Sequence, residues 1–451
     1  MRLLRAFRFS LLLCLAFALL GATTAAAGPA HEPFFPHTGN RGIDALQYEV
    51  NVRYLGEGRV DTTVVSILQA TQRLNRVSLD FRGPRVKRFA AYEGGDYRRR
   101  NGKLIFIPRK PIPARQKFLV VVHYRGVPPT ITDPDGTQEG WYRTDDGVLA
   151  VGEPQGTAAW IPCNNVPGDK AWFQFKIRVP RKLKAVANGR LHHVTRKGSQ
   201  TTYTWGEGSP MSPYLAVLDI GRGRLEKSHI GELPAWTLID PRLEERSRPV
   251  LAELPRIVRF ESKLYGGYPF EAAGSIVDFA PGLGYALETQ SRPIYPYVPD
   301  LTTVVHETAH QWFGDSVGLK RWPNIWLNEG FATWTEWYYA ERHGRRSAHA
   351  IFNRLYRVPA SNTAFWNPPS GHPGTPAHLF GPSVYIRGAM ALEALRLRIG
   401  TKPMLRTLRR WAVSHRYGNA DIEEFIALAE EVSGKNLGPF FQRWLYRRGK
   451  P

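Results

Sequence analysis

Between residues 43 and 222, apolar and polar side chains alternate. Tyr48, Val50, Val52 and Tyr54 recur at every second position, as do Val77, Leu79 and Phe81, and again Phe118, Val120, Val122 and Tyr124. A period of two is that of a strand burying one face, and glycine, proline and asparagine break the runs at turn-like intervals. The pattern predicts an antiparallel β-rich domain. After Pro241 the period lengthens. Leu251, Leu254, Val258 and Leu264 predict a helix interrupted or kinked at Pro255, and residues 275–279 and 286–290 read as short strands. Residues 384–399, 404–415, 421–432 and 439–446 carry apolar side chains at three- and four-residue steps, with Gly400 and Gly434 as helix stops. Residues 366–382, rich in proline and glycine, read as a loop. The expected class is α+β, with a β-rich unit over residues 28–230 and a mainly helical unit over 231–451.

The first 27 residues form a separate pattern. Arg2, Arg5 and Arg8 precede an apolar run from Phe9 to Leu20, followed by Ala25-Ala26-Ala27-Gly28. That is the layout of a secretory signal peptide cleaved near Ala27, so export to the periplasm or medium is expected. The run is too short for an ordinary transmembrane helix, and no other segment approaches the needed length. Cys14 follows Leu13 rather than a small residue, so no lipid anchor is expected. Cleavage would leave Cys163 as the single cysteine, which excludes an internal disulfide. The net charge is +22, with clusters at Arg98-Arg99-Arg100 and Arg447-Arg448. Such a surface is foremost a solvated basic face, and it also suits peripheral association with an anionic envelope. No nucleic-acid module accompanies the charge, so no nucleic-acid partner is expected.

The chemistry concentrates at His306-Glu307-Thr308-Ala309-His310. On a helix, residues four apart share a face, so His306 and His310 can offer two imidazole nitrogens to one metal ion. Glu307 then points beside the ion, where it can hold a water. Asp300, Thr302 and Thr303 are candidate caps for this helix, and Gly314 is its stop. Catalytic zinc takes three protein ligands and keeps a position open. Glu329, after an 18-residue spacer, is the candidate third ligand, at the head of a second helical pattern running to about Arg342. Glu336 lies seven residues further, on the same face. It would either orient a ligating histidine or form an ordinary salt bridge.

These motifs, continuing through Gln311-Trp312-Phe313-Gly314-Asp315 and Trp326-Leu327-Asn328-Glu329-Gly330-Phe331-Ala332, resemble the aminopeptidase N family of zinc metallopeptidases, the gluzincins of peptidase family M1. Glu153-Pro154-Gln155 and Trp160-Ile161-Pro162-Cys163-Asn164 resemble its β-domain signature, and Val384-Tyr385-Ile386-Arg387-Gly388-Ala389 its Tyr-x-Lys-Gly motif. The resemblance implies a thermolysin-like catalytic domain holding one zinc ion on His306, His310 and Glu329. It implies Glu307 as general base toward water and Tyr385 as hydrogen-bond donor to the tetrahedral oxyanion. The family binds the substrate's free amine with the Glu of Gly-x-Met-Glu-Asn. Here the matching stretch has Tyr285, Leu287 and Thr289 in place of the glycine, methionine and asparagine, while Glu288 keeps the carboxylate. Glu153 is a second candidate for the amine, or a plain turn carboxylate. The large helical C-terminal domain of many members has no counterpart after Tyr385 in this sequence, so a more open cleft is expected.

The resemblance implies an exported aminopeptidase acting on peptides with a free N-terminus. Two other readings stay open at this point: a catalytically idle peptide- or envelope-binding protein on the same fold, and a related endopeptidase. Cys163 lacks an activating partner and is expected to be a buried structural thiol.

Overall fold

The alternating runs of the first half pair into sheets in the computed structural model, which describes residues 32–451; the predicted leader lies outside the described residues. A seven-stranded sheet runs in the spatial order Arg190–Lys197, Gln200–Met211, Ala171–Pro180, Ile43–Gly56, Arg59–Ala70, Lys117–Gly126, Val86–Ala91. All its pairings are antiparallel except that between Ile43–Gly56 and Ala171–Pro180, which is parallel. The face predicted to be buried is buried: Tyr48, Val50 and Val52 meet Val60, Val64, Leu68, Val120 and Val122 in one core. A five-stranded sheet follows the order Lys184–Ala187, Leu218–Gly221, Val148–Val151, Gln138–Arg143, Thr130–Thr132. Cys163 is fully buried, and burial pushes its thiol well up, which fits an inert side chain.

The second unit begins earlier than its helical pattern suggests. Arg224–Ile230 pairs with Leu233–Ile239, and Ala273–Val277 and Ile294–Tyr295 extend the sheet in parallel. The hairpin therefore straddles the 230/231 boundary read from the sequence, and backbone hydrogen bonding keeps both its strands in the second unit. One local expectation is resolved and another corrected. The helix expected to be interrupted or kinked near Pro255 is interrupted, forming Glu244–Leu251 and Leu254–Tyr265. The break precedes Pro255, which sits in the first turn of the second helix, where its missing N–H costs nothing. Residues 286–290 form no strand; only Leu287 bridges, to Ile294.

The helix Trp326–Arg342 is buried almost all round, so it is apolar beyond a single stripe. It packs against Leu301–Ala309 on one side and Gly388–Ile399 on the other. Thr401–Ser414 and Ile422–Ser433 complete the bundle, the latter opened by a reciprocal cap between Asp421 and Glu424. Two buried cations join the units. Lys170 donates to the carbonyls of Asp315 and Ser316 at 2.7 and 3.0 Å. Arg292, wholly enclosed, donates to Trp236 O at 2.5 Å, Ala273 O at 2.6 Å and Gly189 O. No helix among the described residues is long and apolar enough to cross a membrane.

Candidate active site

Asp300 starts the first site helix by accepting from the Thr303 N–H at 2.7 Å. The helix Leu301–Ala309 ends at His310, whose N–H still reaches His306 O at 3.3 Å. Gly314, with φ at +129°, then turns the chain back. One helical turn thus separates the two imidazoles, and both Nε2 atoms point at the start of Trp326–Arg342. His306 Nε2 lies 3.3 Å and His310 Nε2 3.4 Å from Glu329 Oε2. All three side chains are buried or nearly so.

The other ring nitrogens define the tautomers. His310 Nδ1 lies 2.9 Å from Phe313 O, and a carbonyl only accepts, so Nδ1 carries the proton. His306 Nδ1 lies 2.6 Å from Glu336 Oε1, with the same consequence. With Nδ1 protonated, each Nε2 faces the Glu329 carboxylate, so a proton on the ring or a cation among the three groups is needed to offset the charge there. Three ligands at zinc distances around a tetrahedral ion stand roughly 3.3–3.6 Å apart, close to the separations here, and the donor set suits zinc. The electrostatics agree. Although burial favours a neutral ring, the Glu288 and Glu329 carboxylates push His310 up to about 9. Although burial favours its neutral form, His310 and His306 hold Glu329 at about 2. A field that retains protons on both rings also attracts a dication.

Around this triad stand the other predicted residues. Glu307, buried, has a carboxylate oxygen clustered with ligand atoms of His310 and Glu288. Burial pushes it up to about 8, against the pull of both histidines. Tyr385 stacks on His306, ring centroids 6.0 Å apart and planes 18° from parallel. Burial, then Glu329 and Glu153, raise its hydroxyl well above the ordinary value, so it stays protonated and able to donate. Glu153, Glu288 and Glu329 bring carboxylate oxygens within 4.8 Å of one another. Glu153 Oε1 and Glu288 Oε1 are buried without a hydrogen-bond partner in the protein. All eight predicted residues are thus brought to one place, Glu336 as the partner of His306.

The supports of these groups were not read from the sequence. Glu139 accepts from the Gln155 and Gly156 N–H groups at 2.9 and 2.6 Å, fixing the loop that presents Glu153. Gln311, next to His310, donates to Glu288 O at 2.9 Å and accepts from Ser291 N at 2.7 Å. Tyr285, where the family has glycine, donates to Gln138 O at 2.7 Å and ties this segment to the β-rich unit. Arg387 donates to the carbonyls of Trp366, Arg443, Trp444, Arg447 and Gly449, anchoring the wide turn Ser383–Arg387 that carries Tyr385. Only the Tyr-x-Lys-Gly resemblance hinted at it, through a basic residue at that place.

Fold and site together define a two-domain zinc metallopeptidase architecture. Residues 50–215 match the Peptidase M1 N-terminal domain and residues 299–444 the Peptidase family M1 domain. The chain belongs to peptidase family M1, which implies one catalytic zinc. It is 26% identical over 319 residues to a probable aminopeptidase 2 of Sulfurisphaera tokodaii, covering 65% of this chain and 40% of that protein. It is 25% identical over 341 residues to a leucyl aminopeptidase of Saccharolobus solfataricus, covering 68% and 42%. The chain thus spans about two fifths of the length of these curated relatives. The M1 zinc metallopeptidase of Deinococcus radiodurans superposes with a TM-score of 0.83 at 26% identity, covering 93% of this chain and 97% of that one. A mutant of that protein bound to a Tyr-Ser-Ala substrate matches equally, at a TM-score of 0.83 and 26% identity, covering 93% and 98%.

Proposed function

We propose that this protein is a zinc-dependent aminopeptidase, removing N-terminal residues from peptides. The observation that carries the reading is the pair Glu153 and Glu288, two buried carboxylates with oxygens lacking partners beside the metal triad. A buried unpaired carboxylate is costly, and a substrate ammonium satisfies both at once. Such an anchor sets how far a peptide can enter, so the first peptide bond is the one presented to Glu307 and Tyr385.

His306, His310 and Glu329 would hold the zinc, with Glu336 keeping the His306 tautomer. When bound, zinc supplies a Lewis acid that polarises a carbonyl and lowers the pKa of water to about 7. Glu307 takes the proton from the attacking water and returns it to the departing amine. The protonated Tyr385 hydroxyl donates to the carbonyl oxygen as negative charge develops there.

The test is hydrolysis of free-amine and N-acetylated versions of the same peptides by zinc-loaded protein, its Glu307→Gln variant and its Glu288→Gln variant. Turnover of free-amine peptides alone, lost in Glu307→Gln, is expected. Glu288→Gln is expected to lose about 100-fold in kcat/KM, ~3 kcal/mol of transition-state binding. Equal cleavage of acetylated peptides would make it an endopeptidase; no turnover with zinc bound would make it a binding protein. Export belongs to the same reading, supported by the leader-like pattern of residues 1–27, with the basic surface resting on anionic envelope polymers. A mature chain starting near Gly28 in the exported fraction is the expected mass-spectrometric result.

A further inference from the structure

A second group of carboxylates lies where the two units meet and shares no residue with the zinc site. Asp146 comes from the turn between Gln138–Arg143 and Val148–Val151, and Asp219 from the strand Leu218–Gly221, both in the five-stranded sheet. Asp240 and Asp278 directly follow the strands Leu233–Ile239 and Ala273–Val277, which run parallel with Ile239 opposite Val277. Two parallel strands therefore deliver two carboxylates side by side, facing two more from the neighbouring sheet. Asp146, Asp240 and Asp278 bring oxygens within 4.8 Å of one another.

The protein's own hydrogen bonds do not account for this cluster. Asp146 Oδ2 accepts from the Arg222 N–H at 2.6 Å, and Asp146 Oδ1 accepts weakly from Thr144 Oγ1 at 3.4 Å. Asp278 Oδ1 accepts from the Phe279 N–H at 2.8 Å. Both Asp240 oxygens accept from Arg242: Oδ1 from its backbone N–H at 2.7 Å and from Nε at 3.0 Å, Oδ2 from Nη2 at 2.6 Å and from Nε at 3.2 Å. Arg242 directs its other arm to Asp145 at 2.7 Å. Left over are Asp278 Oδ2 and Asp219 Oδ1, each buried with no partner, in side chains 3% and 1% exposed. Asp278, whose Oδ2 is unpaired, belongs to the cluster itself, and Asp219 Oδ1 borders it on the Asp146 side: a Cβ on Gly221 would stand 3.7 Å from Asp219 Oδ1 and 3.4 Å from Asp146 Oδ1. Burial and the neighbouring carboxylates push Asp219 well up and Asp278 to about 7, a penalty on their charged forms that a bound cation would relieve.

We propose that Asp146, Asp240 and Asp278, with Asp219 bordering them, form a calcium site that clamps the β-rich unit to the helical unit. The donor set is oxygen only, with no histidine or thiol, which selects a hard cation over zinc. Calcium accepts six to eight oxygens at roughly 2.3–2.6 Å in irregular geometry, so two of its ligands stand at most roughly 5 Å apart. Three clustered carboxylates from three separate segments, with Asp219 bordering them and waters completing the shell, fit that tolerance better than the strict octahedron of magnesium. Binding requires both units to be docked, so calcium stabilises the folded two-unit arrangement by linkage.

Zinc-loaded protein, freed of calcium by dialysis against chelating resin, would be titrated with calcium by calorimetry and followed by thermal unfolding. One calcium per chain is expected, with the unfolding midpoint raised by at least about 3 °C at saturation and magnesium at least about tenfold weaker. The double variant Asp219→Asn/Asp278→Asn is expected to lose calcium uptake and the shift, with zinc content unchanged. Should that variant fail to fold, Asp146→Asn, in a partly exposed turn, is expected to weaken calcium binding by at least about tenfold. No uptake up to about 10 mM calcium, beyond the weakest range of calcium modules, would overturn the proposal in favour of shared protons. Undiminished uptake by the folded variants would equally overturn it, placing the ion elsewhere.

Discussion

Gly330 and Gly388 meet backbone to backbone: a Cβ on Gly388 would stand 3.1 Å from Gly330 Cα. Gly330 follows Glu329 of the candidate triad, and Gly388 lies on the helix that begins just after the turn bearing Tyr385. This crossing of two helices sets how close the hydroxyl stands to the carboxylate. Trp326 seals it by donating from Nε1 to Gly388 O at 3.1 Å.

Alanine at position 388 should disturb site and stability together. Its Cβ would come within 2.5 Å of Trp326 Cδ1 and 2.9 Å of Nε1, so the buried indole or the helix must move. Gly388→Ala is expected to lower stability by roughly 1–3 kcal/mol and kcat by up to about 100-fold through displacement of Tyr385. Urea unfolding and steady-state kinetics on zinc-loaded protein read both. A stability loss with unchanged kcat would show that the crossing does not position the tyrosine.

The Glu336 contact should be worth metal affinity rather than fold stability. Without it, the His306 ring is free to change tautomer and orientation. Glu336→Ala is expected to weaken zinc binding about 10–100-fold in competition with a chromogenic chelator. Glu336→Gln keeps an acceptor for Nδ1 and should recover part of the loss. Wild-type affinity in the alanine variant would reduce the contact to a salt bridge.

Removing the Tyr385 hydroxyl tests its place in the transition state. Tyr385→Phe keeps the ring against His306 and is expected to cut kcat about 10²–10³-fold with little change in KM. A rise in KM at constant kcat would instead assign the hydroxyl to ground-state binding.

A pH-dependent element outside the triad lies at Asp44 and Asp169. Burial pushes Asp169 up to about 8 and Asp44 to about 6. Asn164 Nδ2 donates to Asp169 at 2.5 Å, and Ala45 N–H at 3.2 Å. Both folded-state values exceed the unfolded value of about 4, so the native chain binds more protons across that window. Their contribution to stability is complete below about pH 4 and is lost as pH rises through 6 and then 8. Asp169→Asn should flatten this decline in urea midpoints measured from pH 4 to 9. A parallel decline in the variant would assign the effect to other groups.

Much of the site was legible because its chemistry is local. Two histidines four apart on a helix must share a face, and Glu329 and Glu336, seven apart, must share another. The β-rich first unit was equally visible in its two-residue period. The misreadings were tertiary in origin. The strand Arg224–Ile230 looks like a continuation of the β-rich unit until its partner Leu233–Ile239 is seen to join Ala273–Val277. Residues 286–290 carry strand-like side chains, but only Leu287 finds a partner.

By itself the sequence determined the candidate triad His306, His310 and Glu329, the carboxylate of Glu307 beside it and the division into a β-rich and a helical unit, since period and spacing are geometric properties of one stretch of backbone. Tertiary structure alone decided that Glu153 and Glu288, from different units, leave carboxylate oxygens unpaired beside Glu329. It alone set Gly330 against Gly388, and gathered four aspartates where the sheets meet. Those relations depend on how segments distant in the chain pack, and side-chain volume and backbone pairing across that distance leave no periodic trace in the sequence.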